Sequence, residues 1–202
     1  TVAGEDGQSI ISQHRKAQQA AYDLKEDIKS DKLWPLYSRI LHLVNYHGKL
    51  NVQPEGQEGF TIIQYSVGDE YMPHCDGSCD GNPYRKYGRV ATAVLYCTTP
   101  TLGGATTFTN ADVFIRGKPG QAVFFSYKDP VTNVMDEKLT EHSGCPILEG
   151  EKWIATAWLR EGVSADEPSS KFDPDGVPVY SEGGEEDEYS DFEEDIGHDE
   201  LQ

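Results

Sequence analysis

The sequence predicts one mainly β domain, preceded by N-terminal helices and followed by an acidic tail. From Phe60 onward, short runs of β-branched and aromatic residues alternate with Gly, Pro and Asp turns, a pattern typical of a sandwich or barrel. The 202 residues are enough for one well-buried domain and too few for two of ordinary size. We therefore predict a single domain over residues 1–163, with helical support in 1–50, a β core in 58–161 and a flexible tail over 164–202.

Two helices are predicted ahead of the core. Residues 9–29 are rich in Gln, Ala, Lys and Glu, and their apolar residues recur at helical spacing. Residues 33–46 carry Pro35 early, where a helix tolerates it, and end before Gly48. We expect both helices to pack on one outer face of the sheet. Seven strands are predicted, at residues 60–66, 71–76, 89–97, 105–109, 121–127, 138–143 and 152–160.

The formal net charge of −18 is concentrated at the C-terminal end, because residues 161–202 hold sixteen acidic and one basic residue. A nucleic-acid partner is not expected, since a phosphate backbone requires a basic surface. The predicted role of the tail is a solvated, disordered or loosely docked segment, and the alternative is a partner-binding or calcium-buffering segment. No stretch of the sequence reaches the length of a transmembrane helix.

The last residues carry the only localisation signal that the sequence offers. His198-Asp-Glu-Leu201 matches the retention motif of the endoplasmic reticulum, but Gln202 follows it, and the motif acts only at the extreme C-terminus. A chance match in so acidic a segment is the alternative. The endoplasmic reticulum or secretory pathway is therefore the favoured location, with the cytoplasm as the other.

The four cysteines, Cys75, Cys79, Cys97 and Cys145, are scattered and form no CxxC pair. A zinc site is therefore not expected. Cys75 and Cys79 could pair with each other or with other partners, and the sequence leaves this open.

A candidate metal site begins with His74 and Asp76. Residues two apart on a strand project to the same face, so both side chains can reach one point while Cys75 faces away. An imidazole and a carboxylate are two of the three ligands in the facial triad of non-haem Fe(II) oxygenases. Of six histidines, three lie in the predicted helical region and one in the tail, which leaves His142 as the third ligand. The alternative interpretations are a surface His/Asp pair and an ordinary core histidine.

Lys152 opens the last predicted strand, after a predicted hairpin turn at residues 149–151. Alternation places Lys152 on one face with Ile154, Thr156 and Trp158. If that face points into a barrel, the buried ammonium needs a partner, which a small dicarboxylate could supply. The alternative is a lysine that extends to solvent from the strand end.

Five motifs occur in order over about residues 60–160, and together they resemble the prolyl 4-hydroxylase family of the 2-oxoglutarate dioxygenase superfamily. They are Tyr65-x-x-Gly68-x-x-Tyr71-x-x-His74-x-Asp76, Arg89-x-x-Thr92-x-x-x-Tyr96, Gly103-Gly104-x-Thr106-x-Phe108, Pro119-Gly120-x-Ala122-x-x-Phe125 and His142-x-Gly144-Cys145-Pro146-x-x-x-Gly150-x-Lys152-Trp153. The resemblance implies a double-stranded β-helix (jelly roll) with N-terminal α-helices packed on one sheet. It implies that His74, Asp76 and His142 bind iron and that Lys152 pairs with the distal carboxylate of 2-oxoglutarate.

The resemblance also implies roles for residues around the iron site. Tyr65 and Thr106 match positions that hydrogen-bond the same carboxylate, and Trp158 matches an aromatic residue near both co-substrate and substrate. Arg89 matches a position that contacts the peptide substrate in some members. Ordinary barrel packing is the alternative for Arg89, Thr106 and Trp158. Residues 77–88 depart from the family pattern where relatives cover the substrate, which leaves the substrate open.

The activity that the resemblance implies is hydroxylation of peptidyl proline, coupled to decarboxylation of 2-oxoglutarate to succinate and CO2. It requires Fe(II), 2-oxoglutarate and O2, with ascorbate as the reductant. The expected partner is a proline-containing peptide or protein, and the chain is expected to be monomeric. One alternative is hydroxylation of another protein side chain or a small molecule. The other is a non-catalytic jelly-roll binding module with an acidic interaction tail.

Overall fold

The computed structural model describes residues 2–3, 9–10 and 17–179, which are mainly β-strands. Within these residues there is one α-helix, α1 (Trp34–Tyr46), and there are short 3-10 helices at Ile28–Ser30, Thr109–Ala111 and Ser169–Lys171. The strands in chain order are β1 (Val2–Ala3), β2 (Ser9–Ile10), β3 (Gln18–Tyr22), β4 (Phe60–Tyr65), β5 (Tyr71–His74), β6 (Arg89–Thr98), β7 (Leu102–Gly103), β8 (Thr106–Phe108), β9 (Val113–Ile115), β10 (Ala122–Ser126), β11 (His142–Gly144), β12 (Ile147–Glu149) and β13 (Lys152–Arg160).

Two antiparallel sheets form the core. The larger sheet has the strand order β10-β6-β13-β4-β3, and the smaller one has the order β5-β11-β8-β9. β13 is the middle strand of the larger sheet, where Ile154 pairs with Tyr96 on one side and Ile63 on the other. This arrangement is the mainly β architecture of the predicted jelly roll. No helix in the described part of the chain is long and apolar enough to cross a membrane.

Helix α1 covers the outer face of the larger sheet. Its buried residues, Tyr37, Ile40, Leu41 and Val44, recur every three to four positions and so form one apolar stripe. Pro35 lies in the first turn of the helix, as predicted. The stripe belongs to one buried cluster with sheet residues that include Phe60, Val90, Ala91, Ala93, Ala155, Ala157 and Leu159. The small alanine side chains of β6 and β13 leave room for the helix to approach the sheet.

The opposite face of β13 points into the molecule. Lys152, Ile154 and Thr156 are all buried, and with Trp158 they line one internal pocket. The predicted alternation along this strand is therefore confirmed. This alternation directs the side chain of Lys152 toward the interior, where it becomes part of the site described below.

The predicted helix over residues 9–29 is wrong. Gln18–Tyr22 form strand β3, which pairs antiparallel with β4 from Gln18 opposite Gln64 to Tyr22 opposite Phe60. Gln, Ala, Lys and Glu are good helix formers, but tertiary context readily overrides helix propensity, and the edge of β4 offers this segment a full ladder of hydrogen bonds. Only one of the two predicted helices is therefore present among the described residues.

The seven predicted strands all have counterparts, but one is displaced. The strand predicted at 138–143 begins only at His142, because residues 138–141 turn back on Asp136, whose carboxylate accepts hydrogen bonds from Thr140. The turn at residues 149–151 is not a hairpin, since β12 pairs with β7 whereas β13 pairs with β4 and β6. Strands of two or three residues, such as β7, β9 and β12, are too short to show a periodic pattern.

Residues 164–179, which we call the C-terminal strap, lie against the body. Ser169 donates its backbone N–H to Gly56, and Arg89 donates its own to Pro174. The ring of Phe172 stacks on Tyr87, with centroids 4.0 Å apart. The first part of the segment that composition assigns to the tail thus packs on the domain. Residues 180–202, with the retention-like motif, lie outside the described residues.

Candidate iron and 2-oxoglutarate site

Three potential metal ligands converge where the smaller sheet faces the pocket. His74 ends β5 and His142 begins β11, and the two are directly opposite each other in the ladder. Asp76 follows in the bend after β5 and is buried. Its Oδ1 lies 3.5 Å from Nε2 of His74 and its Oδ2 lies 3.7 Å from Nε2 of His142. One ligand atom from each residue lies within 4.8 Å of the other two, so the predicted triad is assembled in space.

Both imidazoles are oriented for metal binding by their second nitrogen. Nδ1 of His74 is 2.8 Å from the carbonyl oxygen of Met72, and Nδ1 of His142 is 3.0 Å from that of Thr140. A carbonyl only accepts hydrogen bonds, so each Nδ1 carries a proton, and in the neutral imidazole Nε2, which faces the cluster, keeps the lone pair that can bind a metal. Burial lowers the pKa of His142, which favours the neutral form that binds a metal.

The carboxylate of Asp76 is held as an anion in a dry environment. Burial alone would raise the pKa of Asp76, but its interactions with His74 and His142 and the hydrogen bond from Thr92 outweigh it and hold this pKa well below its usual value. Thr92, which is fully buried on β6, donates its hydroxyl to Oδ2 of Asp76 at 2.7 Å. The hydroxyl of Tyr127 lies 3.4 Å from that of Thr92. Thr92 belongs to one of the five motifs, but the sequence assigns it no role. Tyr127 belongs to none of the motifs.

The predicted carboxylate-binding residues line the same pocket. Nζ of Lys152 donates to the carbonyl oxygen of Gly104 at 2.9 Å and to the hydroxyl of Thr106 at 3.4 Å. The ammonium also lies 5.7 Å from the ring centroid of Tyr65 and 5.5 Å from that of Tyr96. Burial lowers the pKa of Lys152 to about 8. The described residues give this ammonium no carboxylate partner, so the pocket holds a cation whose charge an anionic ligand could neutralise.

Trp158 supplies a further polar atom to the pocket. The residue lines the pocket from β13, and its indole N–H is buried without an acceptor among the described residues. A buried indole usually finds one, so the N–H indicates room for a ligand oxygen. The guanidinium of Arg89 lies over the indole ring, 4.0 Å from its centroid.

Arg89, the predicted substrate contact, is largely engaged inside the protein. It donates to Glu58 through Nε at 2.7 Å and through a terminal nitrogen at 2.5 Å, and its other terminal nitrogen donates to the carbonyl oxygen of Asp76 at 3.0 Å. Arg89 also lines a separate polar cavity of about 430 Å³, together with Tyr84 and strap residues such as Pro174. Sequence reasoning missed Glu58, because it lies in a loop and its partners are distant in sequence.

Cys75 and Cys79 form a disulfide, which resolves the pairing that the sequence left open. The bond joins the middle residue of the His74-x-Asp76 motif to the segment beyond it. That segment is paired with the chain that leads to His142, since Gly81 donates its N–H to Asp136 and Lys138 donates its own to Cys79. Cys97 and Cys145 are free thiols.

The donor set fits iron. Two neutral imidazoles and one carboxylate are the ligands of non-haem Fe(II) oxygenases, whereas closed zinc sites typically have four side-chain ligands, often with cysteine. Each ligand is in turn held by a hydrogen bond: the histidines by backbone carbonyls and Asp76 by Thr92. Lys152 lines the same pocket and fits the free carboxylate of a small dicarboxylic acid.

Comparison with known proteins agrees with this geometry. Residues 60–160 match the family described as the 2OG-Fe(II) oxygenase superfamily. Human prolyl 4-hydroxylase subunit alpha-3 is 32% identical over 162 residues, which cover 76% of this chain and 29% of that protein. Rat prolyl 4-hydroxylase subunit alpha-1 is 30% identical over 162 residues, covering 78% of this chain and 28% of that protein. The chain therefore spans less than a third of the length of these relatives.

Solved structures give the same result. A viral collagen prolyl hydroxylase from Paramecium bursaria Chlorella virus-1, solved as a complex with 2-oxoglutarate, superposes with a TM-score of 0.60 at 27% identity, covering 71% of this chain and 79% of that one. A prolyl 4-hydroxylase from Pseudomonas putida, at 21% identity and a TM-score of 0.51, covers 77% of this chain and 78% of its own and shares the fold. The chain belongs to the 2OG-Fe(II) oxygenase superfamily, and the relatives that it resembles within that superfamily are prolyl 4-hydroxylases.

Proposed function

We propose that this chain is an Fe(II)- and 2-oxoglutarate-dependent dioxygenase that hydroxylates peptidyl proline. One observation carries the proposal. A single pocket holds His74, Asp76 and His142 arranged as a facial triad, and the same pocket contains the buried ammonium of Lys152 without a carboxylate partner among the described residues. Iron and a dicarboxylate co-substrate would satisfy both groups at once. The prolyl 4-hydroxylase relatives support proline as the target.

Each residue has a defined task in this proposal. Iron together with 2-oxoglutarate and O2 supplies the oxidising chemistry, which hydroxylates a C–H bond while 2-oxoglutarate becomes succinate and CO2. His74, Asp76 and His142 hold the metal through Nε2, a carboxylate oxygen and Nε2. Lys152 binds the distal carboxylate of the co-substrate with help from the hydroxyls of Thr106 and Tyr65. The buried β13 face keeps this charge pair away from water, which strengthens it.

The substrate side of the proposal concerns Trp158 and Arg89. Their stacked side chains lie between the metal pocket, which Trp158 lines, and the polar cavity, which Arg89 lines. We place the peptide along this cavity, with the target proline next to Trp158. We also propose ascorbate as the reductant and a monomer as the working form.

The test uses the full chain with Fe(II), 2-oxoglutarate, ascorbate and a panel of proline-rich peptides. Succinate release and a peptide mass gain of one oxygen on proline are the expected results. His142→Ala should abolish both, whereas His42→Ala, which alters an exposed histidine on α1, should leave them intact. Turnover of 2-oxoglutarate without oxygen on proline would point to another side chain or a small molecule. An absence of iron-dependent turnover in the wild type would contradict the enzymatic proposal and favour a binding module.

A further inference from the structure

Glu58 is the centre of an ion cluster that lies behind the proposed metal site. Its Oε1 accepts hydrogen bonds of 2.7 Å from Nε of Arg89 and from Nε of Arg160, and its Oε2 accepts a second bond from Arg89. The side chains of Glu58, Arg89 and Arg160 are 19%, 14% and 3% exposed, respectively. Arg160 also donates to the backbone carbonyls of Tyr87 and Asp173. One carboxylate is thus shared by two arginines in a largely dry region.

Arg89 connects this cluster to Asp76. With Nε and one terminal nitrogen engaged by Glu58, its remaining terminal nitrogen points at the carbonyl oxygen of Asp76, 3.0 Å away. A guanidinium is planar and rigid, so a carboxylate that grips one edge fixes the direction of the other. The same plane lies 4.0 Å from the ring centroid of Trp158. Glu58 therefore fixes Arg89 in the orientation in which its guanidinium contacts both the carbonyl oxygen of Asp76 and the indole ring of Trp158.

The charges of the cluster also indicate that Glu58 holds Arg89 in place. Burial would weaken the charged form of Arg89, but the hydrogen bond and charge of Glu58 outweigh it and raise the pKa of Arg89. Without Glu58, two largely buried guanidiniums would lose their shared anion. Arg89 would then have to move toward water or toward another acceptor, and it would release the carbonyl of Asp76.

We propose that Glu58 is a positioning residue of the iron site, which acts through Arg89 to fix the backbone of Asp76 so that its carboxylate meets the two imidazoles. This inference rests on the proposed function, because it assigns the triad to a metal. Glu58 itself touches neither metal nor co-substrate.

The experiment is a titration of the full chain with Co²⁺ under nitrogen, followed by visible absorption, because this ion carries the charge of Fe(II) and reports its coordination. Glu58→Gln keeps the shape of the side chain and removes the charge. We expect its Co²⁺ affinity to fall on the order of 10- to 100-fold, the usual effect of losing a partner that orients a ligand. The KM for 2-oxoglutarate at saturating iron should stay within about twofold, since Lys152 is not in the cluster.

Two controls separate positioning from general loss of stability. Glu161→Gln disrupts another buried ion pair, that between Glu161 and Lys128, which shares no hydrogen bond or ion pair with Asp76 in the described part of the chain, and it should leave Co²⁺ affinity near the wild-type value. The double variant Glu58→Gln/Arg89→Gln should bind Co²⁺ as Arg89→Gln alone does, because Glu58 acts only through Arg89. If Glu58→Gln does not fold, Glu58→Asp, which keeps the charge and withdraws Arg89 by one methylene, should show an intermediate loss.

Several outcomes would overturn the inference. They are wild-type Co²⁺ affinity in Glu58→Gln or Glu58→Asp, losses that add in the double variant, and an equal loss in Glu161→Gln. Each of them leaves the proposed function intact, provided the wild type binds Co²⁺. A wild-type chain that binds no Co²⁺ would contradict both the metal site and the role of Glu58.

Discussion

Replacing Lys152 with Met should increase the stability of the metal-free protein and at the same time increase the KM for 2-oxoglutarate. The pKa of Lys152 falls from 10.5 to about 8 through burial. This difference means that the charged form in the free pocket costs roughly 3 kcal/mol at neutral pH. Met fills similar space without charge but leaves the carbonyl of Gly104 without its donor, which costs about 1 kcal/mol. The free energy of unfolding should therefore rise by about 1–3 kcal/mol at pH 7.

The same substitution should weaken the binding of 2-oxoglutarate. Removing one partner of a buried ion pair costs about 3–5 kcal/mol, so the KM for 2-oxoglutarate should increase roughly 10²- to 10³-fold or more. Co²⁺ affinity should be largely kept, because Lys152 is not a ligand. Succinate release against 2-oxoglutarate concentration measures the first effect, and urea unfolding of the metal-free protein measures the stability.

The pH dependence gives an independent check on Lys152. In the wild type, the KM for 2-oxoglutarate should be flat below pH 8 and then increase by up to about tenfold per pH unit, as the ammonium loses its proton. Between pH 8 and 10.5 the unfolded chain binds more protons at this site than the folded one, so wild-type stability should gain from this group as pH rises. Neither trend should occur in Lys152→Met.

A lysine that already has a partner provides the control. Lys128 is buried against Glu161, so Lys128→Met should destabilise the protein and leave the KM for 2-oxoglutarate unchanged. An unchanged KM in Lys152→Met would refute the assignment of this residue to the co-substrate. Loss of stability in Lys152→Met would refute the argument that its charge is unpaired in the free pocket.

Three further predictions concern the metal ligands and the disulfide. Thr92→Val removes the donor to Asp76 and should weaken Co²⁺ binding roughly 10- to 100-fold, because a hydrogen bond to a charged group contributes about 1.5–3 kcal/mol; equal affinity in a Co²⁺ titration would argue against this role. The imidazole of His142 in the metal-free protein should titrate with a midpoint below 6.5, so protons should compete with the metal at this ligand only below that pH; an NMR titration that gives a higher midpoint would contradict it. Reduction of the bond from Cys75 to Cys79 should lower the free energy of unfolding by roughly 2 kcal/mol for so short a loop, as should Cys79→Ala, which should itself be insensitive to reductant in urea unfolding.

The sequence alone predicts the parts of the site that follow from strand alternation and from the ordered motifs. Spacing along one strand end predicts that His74 and Asp76 meet, and alternation along β13 predicts that Lys152 faces inward. The strand after which Asp76 lies ends earlier than predicted, at His74, yet both ligands still reach the same point. The local geometry of the motif is therefore less sensitive to strand boundaries than the secondary-structure prediction is.

The remaining parts depend on contacts between distant segments. Glu58 meets Arg89 and Arg160 across 31 and 102 positions, and no periodic pattern marks it. Tyr127 approaches Asp76 only through the folding of β10 against β6. The composition of Gln18–Tyr22 predicts a helix, whereas the open edge of β4 determines the structure of this segment. Pairing partners of this kind are set by tertiary packing, which one sequence does not display.

The C-terminal strap bears on where this chain can be shortened. A cut after Val163, where the composition turns acidic, would remove the carbonyl of Pro174 from the N–H of Arg89 and that of Asp173 from the guanidinium of Arg160. Such a fragment would keep all three proposed ligands and Lys152 in its sequence. It would nevertheless lack two of the acceptors around the proposed support of Asp76, and any activity measured on it would be that of a weakened scaffold. A fragment that ends after Val179 retains both acceptors and is therefore better suited to testing the proposed activity.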